Sequence, residues 1–121
     1  MSYDLIFWRG KAIGDPGDVC SSLNRNEKVA GIVEISRDEI CAAFRREFSD
    51  LQDDDQELLG PGFSVMLYVS PIRYVAVCCN WGILKRPDIL EKIERAGFSN
   101  LKCHRYNPQL NEFKENPAAL V

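Results

Sequence analysis

The sequence predicts an α+β protein, a two-layer sandwich of helices packed on a mixed, mostly antiparallel sheet, in the order β-α-β-α-β-β-α-β. Three patterns predict it. Apolar residues run unbroken at positions 5–8, they alternate along residues 63–70, and they recur at three- and four-residue spacing over 40–51 and 89–96. Helices interleaved with strands, one strand pair forming a hairpin, fit two packed layers. Strand order is left open.

Taken in order, residues 3–9 (YDLIFWR), followed by Gly10, read as a strand buried on both faces and therefore central. GDPGDVC, residues 14–20, punctuates the chain, and Asp15 or Asp18 can cap a short helix that places Val19, Cys20 and Leu23 on one side. Residues 29–35 are a second, shorter strand. The stretch ISRDEI is a helix start. Ser36 is the N-cap, Glu39 stands where it can reach back to the Ser36 N–H, and Ile35 and Ile40 occupy the staple positions. The helix is expected over residues 37–50, with Ile40, Ala43, Phe44, Phe48 and Leu51 on its apolar side.

A polar, acidic loop is expected over residues 52–62, closed by GPG. The alternating strand 63–70 then turns at SPIR, where Pro71 suits a φ near −65°, and residues 74–80 return as a strand apolar on both faces. A helix follows Pro87 with Ile89, Leu90, Ile93 and Ala96 on one side, and Gly97 is expected as its C′ stop. Residues 101–106 form the last strand, ended by Pro108. The tail from about residue 108 to Val121 shows little periodicity and is expected to be partly mobile.

A chain of 121 residues, 45% hydrophobic and 27% charged, is expected to form one domain with a core that needs neither disulfide nor metal. The formal net charge of −3 opposes general binding to nucleic acid or to an anionic membrane, which requires a basic face. Five cysteines, Cys20, Cys41, Cys78, Cys79 and Cys103, are odd in number, irregular in spacing and set among apolar residues. They read as reduced, buried thiols. Asp4 stands where a secretion signal would be basic, and the 5–8 apolar run is short for one. No apolar stretch has membrane-spanning length. The expectation is a soluble, cytoplasmic protein.

Chemistry finds few footholds. A cysteine nucleophile needs a base, and the sole histidine, His104, adjoins Cys103 on a strand, where neighbours point to opposite faces. Cys78 or Cys79 could face His104 across adjacent strands, but small core hydrophobes are the plainer reading. There is no Cys-x-x-Cys pair for zinc and no glycine-rich phosphate loop with its lysine. Tyr68 and Tyr74 are candidate stacking platforms for RNA, but net acidity opposes that use. No catalytic residue, metal or cofactor is assigned.

The informative segment is DLQDDDQE, residues 50–57. It carries Asp50, Asp53, Asp54, Asp55 and Glu57 with no Lys or Arg between them. It reads either as a solubilising loop or as an extended loop, held open by charge repulsion, whose negative field steers a cationic partner.

Tyr3-Asp4-Leu5 with Phe7-Trp8 at one end and Tyr106-Asn107-Pro108-Gln109 at the other frame this helix, acidic segment and hairpin. In outline the chain resembles the small immunity proteins of bacterial contact-dependent growth-inhibition and polymorphic-toxin systems. Members of one such group begin with a Tyr-Asp-Leu strand and end in a Tyr-Asp-Pro-Gln-like turn; here Asn107 replaces the Asp. The resemblance implies a cytoplasmic, non-enzymatic inhibitor that binds a cognate toxin domain, often a nuclease with a basic active site. A thiol-dependent enzyme and a regulatory ligand-binding α+β module are the alternative classes.

Overall fold

The computed structural model describes residues 3–12, 14–67 and 70–120. Strand β1 (Tyr3–Gly10) is the centre of the fold. Leu5, Ile6, Phe7 and Trp8 are all buried, as an unbroken apolar run requires of a central strand. Strand β6 (Val75–Cys79) pairs along one side of it, Leu5 opposite Val77, and β7 (His104–Asn107) along the other, Trp8 opposite His104. β2 (Ile32–Val33) adds a two-residue pairing to the end of β1. The long sheet runs β3-β4-β5-β6-β1-β7-β8, where β3 is Gln52–Asp54, β4 Glu57–Gly60, β5 Phe63–Met66 and β8 Glu112–Lys114. Every pairing among the described residues is antiparallel, so the sheet is not mixed.

Helices cover the two faces unequally. Helix α2 (Arg37–Arg45) and helix α3 (Pro87–Glu94) pack Ile40, Phe44, Ile89 and Ile93 onto Leu5, Phe7, Val65 and Val77 in the main core. Helix α1 (Pro16–Asn24) lies on the other face and covers one end of it, packing Val19, Cys20 and Leu23 against Ile6, Trp8 and Tyr106. The α+β sandwich predicted from the sequence is present, with α1 as a partial layer outside it.

Both predicted helix starts are capped. Asp15 accepts from the Gly17 N–H at 3.0 Å, and Ser36 accepts from the Glu39 N–H at 3.1 Å. Each satisfies one backbone donor that the first turn leaves without a partner. Glu39 turns outward to Arg9 at 2.8 Å, which binds the start of α2 to β1. The helix is shorter than expected, since its regular part ends at Arg45.

Four expectations are corrected. Residues 52–62, expected as a loop, form the β3–β4 hairpin. Its register is held by fully buried Leu58 and by pairing of β4 with β5. The last strand is β8, not β7, and it pairs with β7 beyond Pro108. Phe113 stacks on Trp8 with centroids 5.7 Å apart, and buried Asn116 donates to Phe98 O at 2.6 Å. The second strand shrinks from residues 29–35 to two residues. Gly97 does not stop the helix. α3 passes into a π-helical turn, Arg95–Asn100, and Gly97 lies within it, buried. A Cβ there would press into the Phe7 ring, so the site demands glycine for close approach rather than for termination. The continuation of the alternating strand through Tyr68 and Val69 lies outside the described residues.

Gly97→Ala should therefore overpack the core and destabilise the fold by about 1–3 kcal/mol, read as a lowered denaturant midpoint with an unchanged slope. A second expectation concerns Glu47. It accepts from Asn100 Nδ2 at 2.8 Å and from Arg95 at 2.8 Å, and these bonds hold its pKa below the ordinary carboxylate value of 4.5. A depressed folded-state pKa gives stability that is present above 4.5 and lost as pH falls through the lower folded value. Denaturation midpoints followed between about pH 6 and pH 3 should fall less steeply for Glu47→Gln than for the parent.

Candidate functional site

The thiols and the histidine occupy positions that suit packing. Cys20, Cys79 and Cys103 are buried, and all five cysteines are free. Burial pushes the Cys79 and Cys103 thiols up to about 12. Cys78, half-buried on the opposite face of β6 from Cys79, is pushed up to about 11 by burial and then by the carboxylates Asp4 and Glu57. Cys20 and Cys41 are raised as well, burial again leading. A thiolate nucleophile needs a shift in the other direction.

His104 has both ring nitrogens engaged. Nδ1 lies 2.9 Å from the Asn116 N–H and Nε2 lies 2.7 Å from the Gly10 carbonyl. A backbone N–H can only donate and a carbonyl can only accept, so the ring is the neutral tautomer protonated on Nε2. It joins β1, β7 and the segment after β8. No cluster of three or more His, Cys, Asp or Glu side chains placed to hold a metal exists among the described residues.

The two motifs at the chain's ends meet. The Asp4 N–H donates to Gln109 Oε1 at 2.7 Å, and Gln109 Nε2 donates to the Asp4 carbonyl at 2.8 Å. The glutamine side-chain amide thus pairs with β1 as the peptide group of a neighbouring strand would. Asn107 Oδ1 accepts from the Gln109 and Leu110 N–H groups and from Gln109 Nε2, and Asn107 Nδ2 donates to the Tyr3 hydroxyl at 2.7 Å. The acceptor role at position 107 is one that Asp or Asn can fill, while the donation to Tyr3 needs the Asn amide. These residues hold the fold together.

Comparison with protein-family models, with curated proteins and with solved structures finds no match. What the surface can do therefore rests on its own geometry.

The acidic segment sits at the free edge of the sheet. Asp53, Asp54 and Asp55 are exposed, Glu57 is half-buried, and Asp50 is exposed just before the hairpin. The segment is not held open by repulsion among its carboxylates, because α2 supplies counter-charge. Asp53 lies 3.0 Å from Arg37 and 3.6 Å from Arg45, and Arg37 also donates to the Asp55 carbonyl at 2.7 Å. No described Lys or Arg lies within ion-pair distance of the Asp50, Asp54, Asp55 or Glu57 carboxylates.

Strand alternation explains the division. Asp53 is opposite buried Leu58 and leans toward the helices, while Asp54 is opposite Glu57 and lies on the other face. Beside the hairpin an open cleft of about 450 Å³ is lined by Phe48, Asp50, Leu59, Pro61 and Lys92. Basic residues elsewhere are already engaged: Arg105 is buried between Glu94 and Glu112, and Arg86 pairs with Asp88. Tyr74 packs beside the α1 core, and Tyr68 lies outside the described residues. The sequence offered no sign of Arg37 and Arg45 as partners of Asp53, since that contact depends on how α2 crosses the sheet edge.

The thiols should react slowly with an alkylating reagent at neutral pH until the chain is unfolded. Half-buried Cys78 should label faster in the native state as pH rises toward 11, because its thiolate forms only there. Mass spectrometry of labelled peptides reads this, and rapid native labelling of any cysteine at pH 7 would restore a thiol-enzyme reading.

Proposed function

We propose that this chain is an inhibitor of the immunity type, acting in the cytoplasm by binding a basic, nuclease-like toxin domain and excluding its substrate. The observation that carries this reading is the β3–β4 hairpin. It presents Asp54, Asp55 and Glu57, with Asp50 just before it, unpaired with any described cation and on a hydrogen-bonded edge rather than a loose loop. Carboxylates fixed in advance create a directional field without paying an ordering cost at each encounter, and such fields speed association with cationic partners. A row of fixed carboxylates also resembles in charge the phosphate backbone that a nuclease binds. The resemblance to immunity proteins supplies the partner class, and Cys20, Cys79, Cys103 and His104 are buried away from the surface that a partner would meet. No described helix is long and apolar enough to cross a membrane, which accords with action on a soluble partner.

The test is kinetic and uses any candidate toxin domain found encoded beside this chain's gene. Asp54→Lys with Asp55→Lys should slow association by roughly tenfold at low salt and flatten its salt dependence, since exposed charges act mainly through steering. Asp53→Lys belongs in a separate variant, because it also breaks the contacts with Arg37 and Arg45. Association and dissociation rates at two ionic strengths, with protection of cells expressing the toxin, decide the matter. If no neighbour-encoded domain binds the parent chain, the inhibitor reading fails.

A further inference from the structure

Helix α1 covers only one end of the sheet face that it occupies, and the rest of that face carries a defined pattern. Directly paired residues of antiparallel strands point to the same side. Leu58, Val65, Val77 and Cys79 all point into the main core, so their neighbours along each strand face the other way. One row on that opposite side runs Gln52, Leu59, Ser64, Cys78, Asp4 across five strands. A second runs Asp54, Glu57, Met66 toward Ala76. Neither row holds a Lys or Arg.

Leu59, Met66, Ala76 and Cys78 form an apolar strip that is half-buried or exposed. Asp54, Glu57 and Asp4 border it. Cross-strand pairing puts Asp4 beside Cys78 and Glu57 beside Met66 on this side. No described helix lies over this strip.

We infer that this half of the sheet face, which no described helix covers, is the docking surface for a cationic amphipathic helix, one that lays an apolar stripe along Leu59, Met66 and Ala76 and places Lys or Arg against Asp54 and Glu57. The inference deepens the inhibitor reading and rests on it for the partner's identity. Charge complementarity commits the occupant. A second copy of this chain would bring the same carboxylates face to face, and like charges across an interface oppose association. Nucleic acid is opposed for the same reason.

Size agrees. Five strands span roughly 19 Å at their usual spacing, and a helix with its side chains is about 10–12 Å across. The same face already accepts a helix, α1, whose Val19, Cys20 and Leu23 supply the kind of apolar stripe required. The incoming helix would lie beside it, with charge selecting which helices fit.

Two synthetic probes test the surface with the whole chain. The first is a helical peptide with leucines along one stripe and lysines on its flanks. The second keeps the lysines and replaces every leucine with serine. Titration followed by amide NMR should give saturable shifts at Met66, Ala76 and Cys78 with the first peptide. The serine peptide should bind roughly tenfold more weakly, as expected when apolar burial and charge act together. Asp54→Lys with Glu57→Lys should weaken the leucine peptide by a similar factor, while Glu91→Lys on α3, across the sheet, should leave binding unchanged.

Shifts centred on the Phe48–Lys92 cleft or on β8, equal binding of both peptides, or indifference to the double reversal would each overturn the inference. The neighbour-encoded toxin domain separates the two levels. A domain that binds the parent and the Asp54/Glu57 variant equally overturns this surface and leaves the inhibitor reading standing. A domain that binds neither removes the inhibitor reading, and the peptide titration still decides the surface.

Discussion

Strand β1 places Leu5 and Phe7 in one hydrophobic cluster and Ile6 and Trp8 in the other, so both cores are built from opposite sides of the same four residues. Hydrogen bonding to β6 and β7 fills its two edges. Helix placement follows from that double burial. Phe7 against Gly97 sets how closely the turn after α3 approaches the sheet, and Arg9 binds both Glu39 and the Leu101 carbonyl to fix the start of α2. On the other face, Trp8 seats α1 and receives Phe113 from β8. The Gln109 side chain closes the beginning of β1 by bonding both backbone groups of Asp4, so the two ends of the chain share one network.

How legible each part was in the sequence follows from how local its cause is. β1 was readable because burial on both faces leaves an unbroken apolar run. Asp15 and Ser36 were readable because a cap and the backbone N–H that donates to it lie within three residues. The β3–β4 hairpin was not, since Asp is disfavoured in strands and its pairing is imposed by Leu58 and by β5. β8 was missed because Glu112, Phe113 and Lys114 are all exposed and carry no alternation to detect. Gly97 after a helix resembles a stop signal, and only the distant Phe7 ring gives it another purpose. For the candidate site, the acidic residues stood out by charge alone, whereas their sorting into two faces depends on a register that pairs Asp53 with Leu58 and Asp54 with Glu57.

That sorting changes what the carboxylates can do. Asp53, on the helix side, is already met by Arg37 and Arg45, so its charge serves to hold the hairpin against α2. Exposed ion pairs of this kind contribute little to stability individually, but they direct the edge strand's orientation. Asp54 and Glu57, one residue away along each strand, face the side that α1 covers only at its other end. A single hairpin therefore divides a uniform run of acid into an anchoring charge and a presented pair.

Net charge cannot account for the field that results. Fifteen Lys and Arg stand against eighteen Asp and Glu, an excess of only three negative charges. The asymmetry is made by topology: several arginines are spent on partners along the helix side, such as Arg95 with Glu47 and Arg105 between Glu94 and Glu112. The two sheet rows beside α1 contain no cation, yet they include Asp4, Asp54 and Glu57 around a strip of apolar atoms. An edge strand and an uncovered sheet face invite aggregation when they are apolar and neutral. Acidic borders here set like charges against one another whenever two copies approach face to face, which opposes that route to aggregation.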